Sequence, residues 1–217
     1  MSRLRIFCDF DGTVAQNDVG NQVFTRFGDP EKWWQLVQEW RAGNLHGREM
    51  WRRQAAISTM TRQQLDEFSA DQEIDPHFKE FVEFCKVNHL PVSVLSDGMD
   101  AYIERILAFN EIDIPVRANH LIIHEDGSLA VEFPYFKHSC GQCANCKGYH
   151  LRSLRQPGET IVYVGDGYSD LCAVPEADLV FAKDDLLTHC RDNRLDCVPF
   201  ATFKQVKNHL ASLLNTP

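Results

Sequence analysis

Short apolar runs that end in acidic or glycine-rich turns alternate along this chain with stretches whose apolar positions recur at helical spacing. The first run, Leu4-Arg5-Ile6-Phe7-Cys8, has the length and content of a buried strand and leads into Asp9-Phe10-Asp11-Gly12-Thr13. From about residue 16 to 75 the pattern changes. Gln, Arg, Glu and Trp dominate, and Trp33, Trp34, Val37 and Trp40 fall at helical spacing. Breaks at Gly28-Asp29-Pro30, at Gly43-Asn44 and before Thr61 predict three or four short helices, and Thr61 with Gln64 fits a capping box. Beyond Asp75-Pro76 the alternation resumes. It predicts a helix over 77–88, a strand over 91–95, a helix over 100–109, and a hairpin in which residues 121–124 and 129–133 flank Asp126-Gly127. A cysteine-rich loop follows, then a helix over 147–154, a strand over 160–164 ending in Gly165-Asp166-Gly167, a short strand over 179–181, and helices near 184–193 and 202–214.

Strands alternating with helices predict an α/β fold: a Rossmann-like parallel sheet with helices on both faces. The helical stretch interrupts it after the first strand. The expected division is therefore a core made of 1–15 and 76–217, and an inserted helical cap over 16–75. In such sheets a ligand binds at the carboxyl ends of the strands.

A length of 217 residues suits one large domain or a core with such an insertion. The acidic balance, 22 Lys+Arg against 31 Asp+Glu, argues against a nucleic-acid partner, because binding a phosphate backbone needs a basic face. It admits a small phosphorylated metabolite only where local cations or a metal offset the charge. Arg3 and Arg5 faintly resemble a signal-peptide start, but the apolar stretch after them breaks at Asp9, short of the ~7–15 residues of a signal core. No run approaches the ~18 apolar residues of a membrane span, so no membrane partner and a cytoplasmic protein are expected. Nothing in the sequence sets an oligomeric state.

Three predicted strand ends carry polar groups: Asp9 and Asp11, Ser96 and Asp97, Asp166 and Asp170. Parallel strands would gather them at one sheet edge, beside Lys147 at a helix start. Carboxylates so gathered repel one another unless a cation is present. Mg²⁺ suits the site, since it takes a few carboxylates and keeps places for water and phosphate oxygens. Asp9-Phe10-Asp11-Gly12-Thr13, Ser96, Lys147 and Gly165-Asp166-Gly167-Tyr168-Ser169-Asp170 resemble, in order, the four motifs of the haloacid dehalogenase superfamily. A cap between the first and second motifs resembles its phosphoserine phosphatase-like branch. Asn17-Asp18, Gly98-Met99-Asp100, His138-Ser139-Cys140 and Phe181-Ala182-Lys183-Asp184-Asp185-Leu186-Leu187 resemble the methionine-salvage phosphatases within that branch.

The resemblance implies a phosphomonoesterase in which Asp9 attacks phosphorus to form an aspartyl-phosphate, and Asp11 protonates the leaving alcohol and then activates water. It implies Mg²⁺ held by the Asp9 carboxylate, the Asp11 carbonyl and Asp166, with Asp170 helping directly or through water. Phosphate would be bound by Ser96, Lys147 and N–H groups near Gly12, Asp97 and Gly98. Two departures bear on the substrate. Asp97 stands where the phosphoserine branch commonly has glycine; its carboxylate either faces an amine or hydroxyl of the leaving group or turns to a helix N-terminus or solvent. The glutamate that this branch usually carries soon after its first motif, to meet the substrate amine, is missing from Val14-Ala15-Gln16-Asn17-Asp18. Phosphoserine and amino-alcohol phosphates are the alternative substrates, and a non-catalytic metal-binding module is the alternative of another class.

Cys140-x₂-Cys143-x₂-Cys146 presents three thiols before Lys147. They read either as a structural Zn²⁺ clip with His138 as fourth ligand, or as reduced or disulfide-forming thiols. Cys8, Cys85, Cys172, Cys190 and Cys197 read as small buried hydrophobes. Trp33, Trp34, Trp40 and Trp51 read as cap core, with a pocket wall for an apolar leaving group as the alternative.

Overall fold

The computed structural model describes residues 3–138 and 140–215. Its strands are β1 (Arg3–Cys8), β2 (Val92–Met99), β3 (Val116–Ile123), β4 (Leu129–Glu132), β5 (Glu159–Gly165), β6 (Leu179–Ala182) and β7 (Val198–Pro199). They form a seven-stranded sheet in the order β4-β3-β2-β1-β5-β6-β7. All neighbours pair in parallel except β3 and β4, the antiparallel hairpin.

Side chains alternate across a strand, so the central strands feed two cores. Ile6 and Cys8 of β1, Val162 and Val164 of β5 and Phe181 of β6 belong to one. Phe7, Ile161, Tyr163 and Val180 belong to the other. The first face is covered by α5 (Phe78–Val87), α6 (Asp100–Phe109) and α9 (Phe203–Leu214), through Phe78, Phe81, Ile103, Ile106, Phe203 and Val206. The second takes α7 (Lys147–Leu154) and α8 (Asp184–Asp192), through Leu151, Leu186 and Cys190. A parallel sheet covered on both faces has near-continuous apolar strands, which is why Ile6-Phe7-Cys8 and Ile161 to Val164 read as they do.

Between β1 and α5 run α1 (Val19–Phe27), α2 (Pro30–Arg41), α3 (Gly47–Ala56) and α4 (Arg62–Ala70). Each begins where its sequence supplies or permits a start. Asp18 caps α1, Asp29 caps α2 with Pro30 in its first turn, and Thr61 and Gln64 form both halves of a capping box on α4. The chain leaves and rejoins the sheet layer at one place. Ala15 bridges Ile74, Gln16 N–H donates to the Glu73 carbonyl at 3.0 Å, and Asp75 N–H donates to the Val14 carbonyl at 2.8 Å. Trp33 stacks on Trp51 at 5.5 Å, with Phe24 against both rings, as the centre of the helical layer.

Candidate active site

Because β1, β2 and β5 are adjacent and parallel, their carboxyl ends place Asp9, Ser96 and Asp166 along one edge. Lys147 opens α7 on the same side and is fully buried. Its ammonium donates to Asp9 Oδ1 at 2.7 Å, Asp170 Oδ1 at 2.5 Å and Ser169 Oγ at 2.8 Å. That accounts for all three of its N–H bonds. A buried ammonium is disfavoured by desolvation, yet the two carboxylates hold this pKa above its ordinary value. Asp9 also accepts from Phe10 N–H on the same Oδ1, at 2.7 Å.

Asp11 stands on the other side of the turn. Its carboxylate accepts from Gly20 N–H at 3.0 Å, Tyr102 OH at 3.0 Å and Ser96 OH at 3.4 Å. Burial, and then the charge of Asp18, push its carboxyl up to about 7 against the pull of these donors. Tyr102 reaches Asp11 across Gly98, where a Cβ would lie 1.9 Å from the phenol oxygen; only glycine admits that approach. Ser96 Oγ accepts from Gly98 N–H at 2.9 Å, and Gly12 N–H donates to the Asn17 carbonyl at 3.0 Å. Two N–H groups expected to bind phosphate are thus already engaged within the turns, and Ser96 is the group they leave at the β2 end.

Asp97 lines the cavity beside Ser96 and Gly98. Its Oδ1 accepts from Asn145 N–H at 2.6 Å, just ahead of α7, toward the helix start that is one of the two directions expected for it. Burial pushes this carboxyl up to about 6.

Asp166 accepts from Thr13 OH at 2.5 Å. Its carboxyl is pushed up to about 7 by burial and by the charge of Asp170. Asp9 is raised by the same two causes, against Lys147. Among the described residues, Asp9, Asp166 and Asp170 each place a carboxylate oxygen within 4.8 Å of the others'. Three carboxylates, two buried and one half-buried, around one ammonium are under-compensated. An all-oxygen donor set of this kind fits a hard dication such as Mg²⁺. Asp170 is a poor ligand within it. Its Oδ1 accepts from Lys147 and from Tyr163 OH, and its Oδ2 accepts from the N–H groups of Asp166 and Gly167 at 2.9 and 3.0 Å. With both oxygens doubly bonded, Asp170 orients Lys147 and the Asp166 turn, and direct metal ligation would break those bonds.

Asp9, Asp11, Ser96, Asp97 and Asp166 line a cavity of about 300 Å³ whose far wall is the helical layer: Trp33, Val37, Trp40, Met50 and Trp51, with Arg41 and Asp18 at polar positions. A family model described as "Putative Phosphatase" matches residues 4–196. The chain belongs to this phosphatase family. Relatives named 2-hydroxy-3-keto-5-methylthiopentenyl-1-phosphate phosphatase match nearly end to end. The one from Exiguobacterium sibiricum is 30% identical, over 95% of this chain and 96% of its own. The one from Bacillus cereus strain B4264 is 29% identical, over 97% of each. In fold, the phosphatase resembles a phosphoserine phosphatase in a phospho-aspartyl intermediate analogue (TM-score 0.73, 21% identity) and one in a substrate-bound complex (TM-score 0.74, 20% identity). In each case 96% of this chain and 99% of the other are covered.

Several residues of this phosphatase site carry no signal at the sequence level. Tyr102, Tyr163 and Asn145 meet the motif residues only through the packing of α6, β5 and the loop before α7. Thr13 was within reach, since it stands inside the first motif. Trp33, Trp40 and Trp51 serve both as core of the helical layer and as cavity wall, whereas Trp34 is 58% exposed and does neither. His138 does not join the thiols: it is exposed and its ring stacks on Tyr149 at 4.6 Å. The fourth member of the cysteine cluster is Cys172, which lies 3.9 Å from Cys143 and 3.8 Å from Cys146, sulfur to sulfur. The reading of Cys172 as an isolated buried hydrophobe is corrected accordingly.

Proposed function

We propose that the protein is a Mg²⁺-dependent phosphomonoesterase that works through an aspartyl-phosphate on Asp9, and that its substrate is 2-hydroxy-3-keto-5-methylthiopentenyl-1-phosphate. The observation that carries the reading is the state of Asp9. Its described hydrogen bonds fall on Oδ1, which keeps Oδ2 for attack at the cavity that Asp9 lines. Oδ2 forms the bond to phosphorus as the bond to the leaving oxygen breaks, and Asp11 passes its proton to that oxygen. Asp11 then takes a proton from the water that splits the acyl-phosphate, which returns both aspartates to their starting forms. Lys147 holds Asp9 in place and opposes the charge building on the phosphoryl group, and Ser96 contributes to binding it.

The Asp9 carboxylate, the Asp11 carbonyl and Asp166 would hold Mg²⁺, which when bound supplies positive charge against the repulsion between carboxylate and phosphate. The helices over 16–75 act as a cap that closes the cavity and keeps bulk water out. The substrate choice rests on the names of the relatives and on the wall of Trp33, Val37, Met50 and Trp51, which suits a methylthio tail.

Phosphate release with and without Mg²⁺ is the test, run on the methylthio enol phosphate, phosphoserine and phosphoethanolamine. Asp9→Asn should lose ~10⁴-fold or more in kcat. Turnover that survives this substitution rules out the aspartyl-phosphate. A higher kcat/KM for phosphoserine or phosphoethanolamine rules out the proposed substrate while leaving the mechanism intact.

A further inference from the structure

The cysteine-rich loop and the turn after β5 bring four thiols together beside the segments that carry Lys147 and Asp170. Cys140 Sγ lies 3.4 Å from Cys143 Sγ, Cys143 Sγ lies 3.9 Å from Cys172 Sγ, and Cys172 Sγ lies 3.8 Å from Cys146 Sγ. A disulfide would bring two of these atoms to about 2.05 Å. A tetrahedral zinc ion with Zn–S bonds of about 2.3 Å separates its sulfurs by about 3.8 Å, close to the Cys143–Cys172 and Cys146–Cys172 distances of 3.9 and 3.8 Å. We propose that Cys140, Cys143, Cys146 and Cys172 are the four ligands of one structural Zn²⁺.

The surroundings are arranged as such a site needs. The close approach of α7 to the Cys172 turn requires glycine at 148, where a Cβ would stand 2.1 Å from the Cys172 carbonyl oxygen. Four sulfur donors select zinc over Mg²⁺ or Ca²⁺, which prefer oxygen.

The position of the cluster gives the ion a structural purpose. Cys146 precedes Lys147, and Cys172 lies two residues after Asp170, so the clip ties together the two segments that carry the buried Lys147–Asp170 pair. Between Cys140 and Cys143, Gln142 donates to the carbonyls of Trp40 and Leu45 at 3.1 and 3.3 Å and accepts from Gly47 N–H at 2.8 Å. The same loop therefore also fastens the helical layer over the cavity.

The test is elemental analysis of the full-length protein purified under reducing conditions, followed by Co²⁺ titration of the chelator-stripped protein. One zinc per chain is expected, together with the thiolate-to-cobalt charge-transfer bands of a tetrathiolate site saturating at one Co²⁺ per chain. Cys172→Ser should lose the zinc, and His138→Ala should keep all of it. Because a cysteine variant can fail by misfolding, the wild-type protein is also treated with a thiol reagent: four cysteines should be slow to react until a chelator is added. Wild-type protein without stoichiometric zinc, iron in its place, or zinc lost from His138→Ala would each overturn the assignment.

Discussion

At the level of single residues, the site is organised by saturation. Lys147 spends each N–H on an acceptor, and Asp170 receives four donors, so neither has latitude to move. Asp11 is bound more loosely, which suits the proton transfer proposed for it, and Tyr102 is its shortest side-chain donor. Tyr102→Phe keeps the buried ring and removes only the hydroxyl. A hydrogen bond to a charged group contributes about 1.5–3 kcal/mol, so a kcat fall of about tenfold or more is expected, with KM little changed. Steady-state kinetics on the methylthio enol phosphate decide this; an equal rise in KM with kcat preserved would place Tyr102 in binding instead. That Asp9, Asp11, Ser96, Lys147 and Asp166 gather at one sheet edge was legible, because they stand at the ends of parallel strands and at a helix start. Tyr102 and Cys172 were not. Their partners are 91 residues away for Tyr102 and 26 or more for Cys172, and no local pattern announces a contact made by tertiary packing.

Among the elements, α7 was legible over 147–154 from its apolar spacing, and the structure places it at Lys147–Leu154. The first half of β3 was not, because Arg117 and Asn119 interrupt its apolar run. Those positions serve the neighbouring loop. Asn119 donates to the Asp97 carbonyl at 2.7 Å, and the Arg117 carbonyl accepts from Asn145 at 2.9 Å. Asn145 also donates to the Ser96 carbonyl at 2.8 Å and accepts, on Oδ1, from His150 Nε2 at 2.6 Å, which makes His150 a neutral Nε2–H donor. Burial, then the positive charge of Arg117, push His150 down to about 4, with Cys146 opposing. The unfolded chain therefore takes up this proton first as pH falls. The contribution of His150 is complete above about pH 6.5 and drains away as pH drops toward 4. Wild-type protein should lose about 2 kcal/mol more stability than His150→Gln between pH 7.5 and 4.5, measured by urea unfolding at both pH values. Identical losses in the two proteins would show that His150 is not buried in its neutral form.

The whole molecule sets the substrate range, because the cavity exists only where the helical layer meets the sheet edge. Trp40 packs edge-on against Tyr168 at 5.2 Å, and Arg41 pairs with Asp185 at 3.7 Å, so contacts between α2 and the sheet layer frame the opening. The amphipathic pattern of residues 16–75 foretold helices, but it carried no information about which side would meet the motifs. Docking draws on partners remote in sequence from the helices they position: Gln142 on the Trp40 and Leu45 carbonyls, and the Gly127 carbonyl on Met60 N–H. For the tryptophans the two sequence readings, core or pocket wall, prove to be one arrangement, since the layer is too thin for its core to lie far from the cavity. This arrangement makes Trp51 a test of specificity. Shortening it to leucine removes apolar surface from the wall proposed to meet the methylthio tail while leaving Asp9, Asp11 and Lys147 untouched. Each buried methylene-sized group contributes about 0.8 kcal/mol, so loss of two such contacts should lower kcat/KM for the methylthio enol phosphate about tenfold. Phosphoethanolamine, too short to reach the wall, should be hydrolysed by Trp51→Leu at its wild-type rate. Equal losses on the two substrates would mean that Trp51 acts by holding the helical layer together, and that the thioether tail is recognised elsewhere.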